Sequence, residues 1–177
     1  MVLNTHFGIA LAIAFYIVIP IIIMFIIKNK KTLFYIATAL LGLFVIALVL
    51  LTLFDVSVTS EVVTINAHFD GAWCNKTIHL SLLYGGIRDV IINSIMLAPI
   101  GSYVVIYNYC FDKKHGLIKA LLVGLIVGFS IEALQFILPV SRSVQLRDML
   151  LNAFSATLGA ALYILLIKLR NIILKTK

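Results

Sequence analysis

Charge is the scarcest commodity in this chain. Asp, Glu, Lys and Arg together make up 12% of the 177 residues, and seven acids face fourteen bases. A soluble domain of this size spreads charge along its surface, whereas here whole stretches have none. Residues 7–27, 33–54, 90–111 and 149–167 contain no charged side chain, and 116–138 contain only Lys119 and Glu132. Mean hydropathy is +1.15. Each stretch approaches the roughly 20 residues that carry a helix across a hydrocarbon core. Signatures of common chemistries are also missing: there is no nucleotide loop, no Ser-His-Asp set and no haem or flavin pattern. His68, Asp70, Cys74 and His79 fall in one connection, but their spacing matches no zinc site. No metal or cofactor is expected.

What remains describes an all-α integral membrane protein, a single membrane domain over residues 1–177. Five helices are expected at about 6–27, 33–54, 87–110, 116–138 and 148–169, with one long outer loop at 55–86. A signal peptide begins with a basic segment, but Met1 to His6 hold no Lys or Arg, so the first run is expected to be a retained helix. Pro20 is expected to kink it. Ten bases (Lys28, Lys30, Lys31, Lys113, Lys114, Lys119, Lys168, Arg170, Lys175, Lys177) fall on one side. Lys76, Arg88, Arg142 and Arg147 fall on the other. The positive-inside rule then puts the N-terminus outside and the C-terminus in the cytoplasm. The formal charge of +7 thus records orientation and contact with anionic lipid, not a nucleic-acid groove. Cys74 and Cys110 fall on opposite faces and cannot pair. The outer loop carries the β-branched stretch Val62-Val63-Thr64-Ile65 and is long enough to lid a site.

Against this apolar background the polar residues stand out. Arg88-Asp89-Val90-Ile91-Ile92-Asn93 recurs as Arg147-Asp148-Met149-Leu150-Leu151-Asn152, and the two copies open two helices that enter from the same face. In each, Asp and Asn are four residues apart and share one helix face. Glu132 and Gln135 interrupt the fourth helix on a single face. Glu132 falls about 9 Å inside the end of that helix, and Asn93 and Asn152 about 6 Å beyond Asp89 and Asp148, at 1.5 Å per residue. Arg88, Asp89, Asn93, Glu132, Gln135, Arg142, Arg147, Asp148 and Asn152 are therefore expected to form one shallow polar layer near the outer surface. Capping is the competing explanation for Asp89 and Asp148, and interhelical hydrogen bonding for the two Asn. Glu132 has no capping role, and a carboxylate in hydrocarbon must be paired or face a wet cavity.

These same residues carry a resemblance. Glu132-x2-Gln135, Pro139-x2-Arg142-Ser143 and Asp148-x3-Asn152 with Gly159 resemble the signature of the VanZ-like family. Asn93 with Met96-Leu97-Ala98-Pro99-Ile100-Gly101 is similar to that family's earlier segment. The resemblance implies a small, multi-pass protein of the bacterial cytoplasmic membrane, some of whose relatives are linked to low-level teicoplanin resistance. The chain departs from the pattern at Arg147, where relatives commonly carry Asp, at Ser155, where they carry Gly, and in the outer loop, where Ala67-His68-Phe69 stands nearest to the usual Pro-Phe pair.

The leading expectation is a site for an envelope ligand, a lipid head group or lipid-linked cell-wall precursor. Arg88, Arg142 and Arg147 would hold phosphate or carboxylate groups. An intramembrane enzyme, with Glu132 as general acid or base and Asp148 beside it, is the alternative. A transporter is the third, although it would carry polar residues through the midplane.

Overall fold

The structure, a computed structural model, describes residues 21–58, 63–67, 78–79, 87–137 and 144–175. Of the first expected helix, residues 21–26 are described and are helical (α1); its remainder, with Pro20, lies outside the described residues. Helix α2 spans Lys30–Leu53. It starts before the uncharged run because Asn29 Oδ1 accepts the N–H groups of Lys31 and Thr32 at 2.8 and 3.4 Å, an N-cap set in a basic turn. Strand β1 (Phe54–Val58) continues directly from α2 and pairs antiparallel with β2 (Val63–Ala67), where the β-branched residues favour an extended chain. A second, very small ribbon joins β3 (Ile78–His79) in parallel to β4 (Val144–Gln145). These ribbons sit in the connections, and the rest of the described architecture is helical.

The expected third helix is broken in two. Helix α3 spans Ile87–Met96 and α4 spans Ala98–Cys110, with Pro99 in the first turn of α4. Proline has no N–H for the carbonyl four residues back and crowds that carbonyl, so the ladder cannot run through 95–99. Helix α4 ends on Asp112 at φ 52°, and Lys113 N–H returns to the Asn108 carbonyl at 2.8 Å, a left-handed helix stop. Helix α5 spans Gly116–Ile137. Helix α6, at Leu146–Lys175, runs longer than the expected 148–169.

Four helical spans among the described residues are long and apolar enough to cross a membrane: Lys30–Val49, Val90–Cys110, Gly116–Ile137 and Leu146–Ile173. The chain is a multi-pass membrane protein. Ile118, Leu122, Ile126, Phe129 and Phe136 stand exposed along α5, a cost in water that lipid removes.

Helix α6 is the hub, packed by α3, α4 and α5. Between lipid-solvated helices, close backbone approach supplies the packing, and small residues permit it. A Cβ on Gly101 would sit on the Ala156 main chain, and one on Gly159 on the Ala98 main chain. The α4–α6 crossing is therefore backbone against backbone. One apolar cluster fills in beside it with Phe44, Leu48, Leu97 and Ile100, and a second lies further along with Met24, Leu33, Val105, Ile106 and Tyr163.

Arg170 corrects an expectation. Instead of meeting lipid it is buried, donating to the Ile27 carbonyl at 2.8 Å and the Tyr109 hydroxyl at 3.1 Å. It ties the end of α1 to α4 and α6.

Candidate functional site

The inward face of α5 is a single stripe: Ala120, Gly124, Gly128, Glu132, Gln135. Steps of four, four, four and three residues keep these positions on one side of a helix. The stripe faces α6, which runs antiparallel. A Cβ at Gly124 would come 2.7 Å from the Ala156 methyl, and one at Gly128 3.0 Å from Asn152 Cβ. Each turn up α5 is matched by a turn back along α6. One turn beyond Gly128 this register brings Glu132 to the start of α6, where its Oε2 accepts the Gln145 backbone N–H at 2.8 Å. The glycines draw the helices together, and where the stripe turns polar the same proximity buries a carboxylate at 6% exposure.

Gln145 extends the contact. Its Oε1 accepts from Arg147 Nη2 at 3.1 Å, and Arg147 Nε and Nη2 both donate to Asp148 Oδ1 at 3.3 Å. Asp148 lies in the first turn of α6, where a carboxylate meets the positive end of the helix dipole. Arg147 in the same turn meets the wrong sign of that dipole, yet it is only 6% exposed. A cation there needs partners, and Asp148 and Gln145 supply them. Among the described residues Arg147 Nη1 forms no hydrogen bond.

One turn deeper, Asn152 is 1% exposed and its Oδ1 has no hydrogen-bond partner among the described residues. Gln135 is buried on the α5 stripe, and neither it nor Glu132 lacks further interactions. Asn93 is half-buried on α3, which packs on α6. Arg88 and Asp89 occupy the first turn of α3. Arg142, like His68, Asp70 and Cys74, lies outside the described residues. The structure thus joins Glu132, Arg147 and Asp148 through one residue that the sequence did not single out. Gln145 gives Glu132 its main-chain N–H, to which residue type gives no clue, and accepts from Arg147 at its side-chain Oε1. Its position is set in part by the pairing of His79 with Gln145, so the long connection is anchored beside the polar layer.

A family model described as VanZ/LLP1 matches residues 14–168. The chain belongs to the VanZ/LLP1 family. No curated protein and no solved structure matches it. Two of the departures from the VanZ-like pattern acquire physical meaning here. Arg147 is accommodated by Gln145 and Asp148, and Ser155 is fully buried with its hydroxyl bonded to the Leu97 N–H at 2.9 Å. Within this VanZ/LLP1 chain, no group of three or more His, Cys, Asp or Glu side chains is placed to hold a metal among the described residues.

Proposed function

We propose that this VanZ/LLP1 protein binds an anionic envelope ligand at the polar layer, on the outer face of a bacterial cytoplasmic membrane. The ligand is a lipid head group or a lipid-linked cell-wall precursor, and its capture contributes to tolerance of glycopeptides such as teicoplanin. The observation that carries the proposal is Arg147: it is buried where α6 begins, anchored on one side by Asp148 and Gln145, and has Nη1 unused among the described residues. A guanidinium held in this way is oriented for a phosphate oxygen. Glu132 and Gln135 on α5 and Asn152 on α6 are buried polar groups whose chemistry suits the hydroxyl and amide groups of such a ligand. Arg88, Asp89, Asn93 and Arg142 are assigned to the same layer.

The direct test is binding of a lipid-linked precursor to the purified protein in nanodiscs, with Arg147→Gln as the comparison. Loss of an ion contact of this kind predicts about tenfold or greater weakening. Equal binding by both proteins would remove the proposal. If the precursor is instead consumed during the incubation, the alternative holds: an intramembrane enzyme with Glu132 as acid or base. Flux of precursor into vesicles would mark a transporter.

A further inference from the structure

The end of the bundle away from Glu132 holds a second polar constellation. Between α4 and α5 lies a groove of about 450 Å³. Its walls include the apolar Val104, Leu122 and Val123, and at its mouth are Tyr107, Asn108, Lys113 and Lys119. Leu122 is exposed on the lipid-facing side of α5, so the groove opens toward the bilayer.

The mouth is cationic and unneutralised. Neither Lys113 nor Lys119 forms an ion pair among the described residues. The nearby acid, Asp112, is taken by Lys30 at 2.6 Å. Lys113 is held in place by the left-handed turn that ends α4: its ammonium lies 5.0 Å from the Tyr107 ring centroid and donates to the Tyr107 hydroxyl at 3.1 Å. Lys119, near the start of α5, reaches Asn108 Oδ1 at 3.4 Å. Asn108 itself is 4% exposed, and its Nδ2 has no hydrogen-bond acceptor among the described residues. That Nδ2 is enclosed against Gly116, and it is the other side of the amide, Oδ1, that faces Lys119. The two ammonium groups without an anion are met by one group, a phosphate with several acceptor oxygens.

We propose that this groove is a binding site for an anionic phospholipid. Its phosphate accepts from Lys113 and Lys119, and one acyl chain follows Val104, Leu122 and Val123. The apolar walls favour a lipid over free phosphate, since a small ion would leave them unfilled. Basic pockets between membrane helices capture acidic head groups by the same combination of charge and apolar contact.

The test uses the full chain in detergent, titrated with phosphatidylglycerol and followed by native mass spectrometry and by the shift in melting temperature. The double variant K113Q/K119Q should weaken retention by about tenfold or more. The control K28Q/K114Q, which removes the same charge at exposed positions outside the groove, should retain it. Leu122→Trp fills the groove with both lysines intact and should also abolish retention, which keeps the test decisive if the lysine variant fails to fold. Phosphatidylcholine and inorganic phosphate should neither bind comparably nor compete. Equal loss in both double variants, equal retention of phosphatidylcholine, competition by inorganic phosphate, or occupation of the groove by a second copy of the chain would each overturn the proposal.

Discussion

Ser155 Oγ accepts the backbone N–H of Leu97 at 2.9 Å, so a hydroxyl on α6 satisfies the main chain where Pro99 breaks the α3–α4 path. Helix breaks at membrane depth persist only where a neighbour takes over the freed polar groups. Ser155→Ala removes the acceptor and leaves the N–H buried. The expected loss is about 1–3 kcal/mol of stability, read as a lower melting temperature in detergent. An unchanged melting temperature would show that the break is supported elsewhere.

The backbone crossing of α4 and α6 makes a sharper demand. Gly101→Val and Gly159→Val place a side chain on main-chain atoms that cannot rotate away. Each should cost about 1–3 kcal/mol or more, with poor accumulation in the membrane. Gly42 has nothing within 4 Å of its would-be Cβ, and Gly42→Ala should be neutral or stabilise by up to about 1 kcal/mol through helix propensity. Comparable effects at all three sites would mean that the helices do not cross as described.

Orientation is open to a direct chemical measurement. With Cys110 replaced by Ser, Cys74 should react with a membrane-impermeant maleimide in intact cells, whereas Cys introduced at Lys30 or Lys114 should react only after permeabilisation. Labelling of the Lys114 position from outside would invert the topology and move the Glu132 layer to the cytoplasmic face.

The spans were legible because a helix in lipid needs an unbroken apolar run, and such runs are visible without any partner. Glu132 and Gln135 were legible for the converse reason: polar groups in those runs are costly enough to need an explanation. The break at Pro99 was missed, since 87–110 was read as one apolar helix, and its resolution was hidden in Ser155, which the sequence offers only as a small residue. Arg170 was misjudged because a base beyond the last apolar turn looks the same whether it meets lipid or folds back on Ile27 and Tyr109. Gln145 was missed for a third reason. Its role rests on a main-chain N–H, a side-chain contact to Arg147 and pairing with His79 from a distant connection, and none of these leaves a local pattern.

The central claim is that Glu132 belongs to a ligand site and is more than a structural counter-charge. Glu132→Gln keeps the shape and can still accept the Gln145 N–H, while it removes the negative charge. The decisive measurement pairs the melting temperature of this variant with the glycopeptide tolerance of cells that carry it. The account predicts a protein that accumulates and melts like the wild type yet no longer confers tolerance. A variant that fails to accumulate, with a loss of about 3–5 kcal/mol, would point to a buried ion pair whose partner is stranded. One that folds normally and keeps full tolerance would contradict the assignment outright.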